Sequence, residues 1–123
     1  MTVSVSLINS LVEGVRRAGV DVDDFLKNVA IDQEYLAIPH NRVPLADYDT
    51  LIDRALNETS DPALGLHLGE MESVTAFNVV EYLAANAENI RHGVDILERY
   101  FHLLYEGEPP QLKEEGDRAT ILL

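Results

Sequence analysis

Residues 59–69 read Thr59-Ser60-Asp61-Pro62-Ala63-Leu64-Gly65-Leu66-His67-Leu68-Gly69. Asp61 is a helix N-cap residue, and Pro62 suits the first helical position, where its missing N–H would have no partner anyway. The block therefore predicts a short helix over Ala63–Gly69. Before it, Leu45, Tyr48, Leu51, Ile52, Ala55 and Leu56 recur at helical spacing from Pro44 onward, and Thr59-Ser60 closes that helix. Two helices joined at a tight corner decide the class of the fold: it is helical. Gly65 and Gly69 stand four apart with nothing basic after them to hold phosphate. They read as points of close backbone approach between packed helices.

Toward the N-terminus, Leu7, Ile8, Leu11, Val12, Val15 and Ala18 form one apolar stripe, with Glu13, Arg16 and Arg17 opposite. Gly19-Val20 has the form of a glycine cap in which an apolar residue folds back on the helix. Asp21 caps a short helix carrying Val22, Phe25, Leu26 and Val29, and Asp32 caps a turn with Tyr35 and Leu36. The prolines of Ile38-Pro39-His40-Asn41-Arg42-Val43-Pro44 restrict the residues before them, so this stretch is an extended connector.

Toward the C-terminus, Val74 to Ala85 is apolar nearly all round, which predicts a central buried helix. Asn86 is the N-cap expected for the longest helix, Ala87 to Glu106, with Ile90, Val94, Leu97, Phe101 and Leu104 as its buried stripe. Gly107 ends that helix and Pro109-Pro110 changes the structure. Gln111 to Glu115 and Arg118 to Leu123 then flank Gly116-Asp117 as the arms of a hairpin. The expected fold is thus mainly α, with five to six helices and a C-terminal β-hairpin. Ending on an apolar edge strand is unusual for a finished domain, so the sequence is expected to be cut from something longer, a truncated α+β domain.

At 123 residues the chain has room for one domain. Nine basic against 22 acidic residues give a net charge of −13, which repels phosphate backbones and anionic lipid. With no cysteine, disulfides, zinc–thiolate sites and thiol catalysis are excluded, and the absence fits a reducing cytoplasm. The N-terminus lacks a signal-peptide pattern, and no apolar run approaches the ~18 residues of a membrane span. A cytoplasmic location without membrane contact is the expectation.

Chemistry-bearing constellations are sparse. His40, His67, His92 and His102 show no metal-ligand spacing, so no metal is expected. Glu98, His102 and Glu106 step by four along one predicted face, which is solvated pairing more readily than a proton relay. No nucleophile elbow, phosphate loop or dinucleotide fingerprint occurs, so neither an enzyme nor a cofactor is expected. Arg42 either clamps a ligand carboxylate or pairs with an acidic neighbour. His67 reads as a hydrogen-bonded core or boundary histidine, or as a ligand contact. Tyr82 needs a hydroxyl partner if buried, and could face a ligand cavity.

The order Gly19-Val20-Asp21, Ile31-Asp32, Asn41-Arg42-Val43-Pro44 and Thr59 to Gly69 resembles one family. So do Tyr82-Leu83-Ala84-Ala85-Asn86, Leu97-Glu98-Arg99-Tyr100 and Leu112-Lys113-Glu114-Glu115-Gly116-Asp117. The likeness is to the N-terminal arabinose-binding-type regulatory domain of AraC/XylS-family transcription regulators. It implies that residues 1–123 are the N-terminal part of an effector-binding and dimerisation domain. The paired helix-turn-helix units that contact DNA in that family are absent from this chain. The implied partners are a small-molecule effector of unknown identity and a second copy of the chain, with DNA reached through the missing C-terminal domain. Arg42, His67, Glu81 and Tyr82 are the candidate ligand contacts. Glu81 stands where family members often carry glycine, and an inward carboxylate there would alter the cavity. The rival reading is a structural dimerisation module with no small-molecule ligand.

Overall fold

The computed structural model describes residues 1–71 and 79–123. The chain falls into two compact units, Met1–Glu72 and Ser73–Leu123. Among the described residues, seven α-helices and a C-terminal antiparallel hairpin make the fold mainly α, as the sequence implied.

The first unit opens with strand β1 (Thr2–Ser4), helix α1 (Val5–Arg17) and the short helices α2 (Val22–Phe25) and α3 (Gln33–Leu36). Strand β2 (Arg42–Pro44), helix α4 (Leu45–Thr59) and helix α5 (Leu64–Met71) follow. Along α1, Val5, Ile8, Leu11, Val12 and Val15 are buried, so the helical stripe faces a core shared with Phe25, Leu36, Leu51 and Ala55. The helix ends as its glycine predicts. Gly19 adopts φ +87°, its N–H donates to the Arg16 carbonyl at 3.0 Å, and the Val20 N–H reaches the Val15 carbonyl at 3.0 Å. That bond pair closes the last turn in the Schellman pattern. Asp21 and Asp32 cap α2 and α3 through carboxylate bonds from the N–H groups of Asp24 and Tyr35, at 2.9 and 2.8 Å.

The connector is extended only at its end. There it becomes β2 and pairs antiparallel with β1, Val3 opposite Val43, both fully buried. The alternation Thr2-Val3-Ser4-Val5 carried that signal. Pairing with residues forty positions away turned a loose N-terminus into a strand, and α1 begins at Val5 because Ser4 caps it through the Ser6 N–H at 3.2 Å. Gly65 and Gly69 do not mark a close approach: added Cβ atoms would meet nothing within 4 Å among the described residues. The tight contact is at Gly14 of α1, where a Cβ would lie 2.0 Å from Leu68 Cδ2 of α5. Both expected glycines lie on exposed positions of α5, so spacing alone misassigned the packed face.

The second unit holds α6 (Val79–Ala85), α7 (Ile90–Tyr100), a 3-10 turn (Phe101–Leu103) and strands β3 (Gln111–Glu115) and β4 (Arg118–Leu122). Residues 74–78, the start of the expected buried helix, lie outside the described residues. Over its described length α6 is not buried all round: Val80 is, whereas Val79, Tyr82 and Leu83 are exposed. An all-apolar composition leaves the packed side unspecified, and here one flank meets α7. The long helix is shorter than expected. Asn89, not Asn86, caps it by accepting from the His92 N–H at 2.9 Å. Asn86 instead donates to the Tyr82 carbonyl at 2.8 Å, at the C-terminus of α6. Ile90 is therefore a first-turn residue, 78 % exposed rather than part of the buried stripe, while Val94 and Leu104 are buried. The helix also stops at Tyr100, so the four-residue stepping from Glu98 to Glu106 is not kept on one face. β3 and β4 pair antiparallel from Glu115↔Arg118 to Gln111↔Leu122. Gly116 at φ +62° and Asp117 at negative φ form the turn, the type II′ pattern that matches strand twist.

Candidate functional site

Arg42 and His67 are each held by hydrogen bonds. Arg42 is held within the β1–β2 pair. Its Nε donates to Thr2 Oγ1 at 2.7 Å and its Nη2 to the Thr2 carbonyl at 3.3 Å. The Arg42 carbonyl in turn accepts from the Tyr35 hydroxyl at 2.7 Å. The guanidinium thus ties the first strand to the connector, and an N-terminal hydroxyl is a partner the sequence reading did not name.

His67 lies one turn into α5, and Asp61 serves two donors at once. Asp61 Oδ1 accepts from the Ala63 N–H at 3.0 Å, and Oδ2 meets His67 Nδ1 at 2.5 Å. Pro62 falls in the turn ahead of α5 rather than in its first position, because the Leu64 N–H bonds back to the Asp61 carbonyl. The His67 ring is about half exposed, so it is a hydrogen-bonded surface residue and not a core one. The bond to Asp61 raises the imidazole pKa above its usual value, the Asp61 charge adds to that, and Glu70 contributes in the same direction. Reciprocally, the bond from His67 and that from the Ala63 N–H hold the Asp61 carboxyl below the usual carboxylate range.

Glu81 and Tyr82 are neighbours on α6. Glu81 is half-buried, with Oε2 shielded from solvent, whereas Tyr82 is exposed. Arg42 and His67 belong to the first unit, where they bond Thr2 and Asp61 separately, and Glu81 and Tyr82 belong to the second.

The second unit also contains a concavity that sequence reading missed. Between α6 and α7 lies an open recess of about 430 Å³, lined by Ala84, Ala85, Ala87, Asn89, Ile90, Gly93, Val94 and Leu97. Small residues make it: at Gly93 a Cβ would approach the Ala84 carbonyl to 3.3 Å. The cluster of alanines before the cap and a glycine inside the helix was the available signal. The volume is within the range of small-molecule sites, and the lining carries no charged side chain. Across the same unit, Arg91 of α7 donates from Nη2 and Nε to the two carboxylate oxygens of Glu114 on β3, at 2.5 and 3.1 Å. Among the described residues, no helix is long and apolar enough to cross a membrane, and no cluster of histidine and carboxylate groups is gathered for a metal.

Comparison with known proteins gives the class of this helical chain. Residues 19–123 match the family described as the arabinose-binding domain of AraC transcription regulator, N-terminal, and the chain belongs to that family. The chain is also 26 % identical over 119 residues to the ornithine utilization regulator of Pseudomonas aeruginosa. That match takes in 97 % of this chain and 35 % of the relative, so the chain spans about a third of the curated protein's length.

Proposed function

We propose that residues 1–123 are the N-terminal part of an effector-sensing and self-associating domain that controls the DNA-binding domain of an AraC-like regulator. The observation that carries this reading is the family match over residues 19–123. The length of the relative supports it too, because about two thirds of that protein lie outside the matched region. A small effector binds one arrangement of the domain better than another, and the difference in affinity shifts how the attached DNA-binding domains are presented. Glu81 and Tyr82, on the helix that bounds the recess, are the proposed ligand contacts. Arg42 and His67, which also fasten the strand pair and the helix turn of the first unit, are proposed contacts as well.

The family description contains arabinose and the relative's name ornithine, and both compounds belong in the test. A thermal-shift screen of the purified chain against sugars, amino acids and amines reads effector binding directly. A ligand at 100 times its Kd adds about 2.7 kcal/mol, enough to raise the midpoint by roughly 10 °C. No shift with any compound, together with a mass that rises with concentration, would leave the structural dimerisation module as the reading that stands.

A further inference from the structure

We propose that His92 is a pH-operated cap on α7: uncharged, it fastens the first helical turn beside the recess, and as an imidazolium it lets that turn go. The inference adds a mode of regulation to the proposed sensing domain, and it rests on that reading only for what the turn controls. Asn89 and His92 bind the chain reciprocally. Asn89 Oδ1 accepts from the His92 N–H at 2.9 Å, and His92 Nδ1 accepts from the Glu88 N–H at 3.3 Å. This is a form of capping box with histidine in the place usually held by Glu or Gln. The exchange makes the box titratable. A backbone N–H can only donate, so the bond requires Nδ1 to be bare and the proton of the neutral ring to sit on Nε2. Protonation puts a hydrogen on Nδ1, and two donors then face each other. It also sets a positive charge in the first turn, where the helix dipole disfavours cations. Both effects act in the same direction, and imidazoles gain their proton between about pH 8 and about pH 5.

The surrounding charges leave this bond to itself. Along its own segment the ring is flanked by Glu88, Arg91 and Asp95. The elements packed on α7 bring Glu81 and Tyr82 from α6, Lys113, Glu114 and Glu115 from β3, and His102 from the 3-10 turn. Arg91 holds Glu114, and Lys113 meets Glu115 at 3.2 Å. Among the described residues none of these side chains bonds the imidazole. His67 has Asp61 to hold its charge, whereas charging His92 removes a bond and makes none. The same turn carries Asn89 and Ile90 into the wall of the recess, and its first helical bond runs from the Gly93 N–H to the Asn89 carbonyl at 3.0 Å. Unwinding it takes away one side of the concavity.

Nuclear magnetic resonance of the ligand-free chain from about pH 8 to about pH 5 tests the cap. The expected results are the Nε2–H tautomer of His92 at the upper pH and helical Cα shifts at Ile90 to Gly93 that decline as His92 titrates. The opening equilibrium of that turn should rise about two- to tenfold, the range one hydrogen bond supplies. The methyl resonances of Ala84, Ala87 and Val94, which line the recess, should follow the same curve. His92→Gln keeps an acceptor that does not titrate, so the turn should stay wound at both ends of the range. His92→Leu has no acceptor and should leave it frayed at both. A turn in the parent that ignores pH, a His92 ring in the Nδ1–H tautomer, or a response that survives His92→Gln overturns the cap. A response confined to the turn, with the recess methyls unmoved, overturns its hold on the recess. Neither outcome bears on effector binding, which the thermal-shift screen reads separately.

Discussion

Single side chains decide where the helices begin and end. Asp21 and Asp32 were legible because a capping carboxylate needs only its own neighbouring N–H groups, and both accept the bonds that the sequence implied. Asn86 and Asn89 are chemically equal caps three residues apart, and the local sequence does not rank them. The structure places α7 behind Asn89, so Asn89→Ala should cost about 1 kcal/mol and Asn86→Ala clearly less. Urea denaturation of the two variants checks the order. The Asp61–His67 bond makes a prediction about pH. The folded-state pKa of Asp61 is lowered, so its contribution exists above its unfolded value and is lost as pH falls through the folded one. The folded-state pKa of His67 is raised, so its contribution is complete below the ordinary value of 6.5 and is lost as pH rises through the folded one. The pair is therefore strongest in the mildly acidic window between the two. Proton NMR should show His67 titrating above the usual histidine range, and Asp61→Asn should bring it down while keeping an acceptor for the Ala63 N–H. An unchanged His67 titration in that variant would show that the bond does not set the pKa.

At the scale of elements, α1, α4 and the C-terminal hairpin were readable because their periodicity or turn chemistry is local. The pair β1–β2 was not, since its ladder joins positions forty residues apart and neither strand exceeds three residues. Candidate contacts fared similarly. His67 and Arg42 were legible as bonded residues, but the partner of Arg42 comes from β1, which the sequence did not reveal as a strand. The contact of α1 with α5 yields the sharpest test of packing. Gly14→Ala improves intrinsic helix propensity by about 1 kcal/mol, but its methyl would lie within van der Waals distance of Leu68. Forcing Leu68 aside costs about 1–3 kcal/mol, so the net effect is a loss. In a Leu68→Ala background the clash is gone and the same substitution should stabilise by about 1 kcal/mol. That reversal of sign, read from denaturation midpoints, is not expected of two non-contacting positions.

For the whole molecule, net charge governs what can approach. With −13 on 123 residues, this chain by itself should give no retarded band with duplex DNA in an electrophoretic mobility shift at low salt, where non-specific binding is strongest. A shifted band there would overturn the charge argument. The sequence by itself determined that charge, the helical class, the carboxylate caps and glycine stop, and the position of the hairpin turn. Each depends on composition or on residues within one or two turns of one another. The tertiary structure alone decided that the N-terminus is a strand, and that Gly14 rather than Gly65 or Gly69 is the close approach. It alone turned one flank of α6 to solvent and opened a recess beside Gly93. Those features depend on which faces meet. An apolar stripe fixes that a face is buried but not against what, and only the packed chain chooses among partners of equal hydrophobicity.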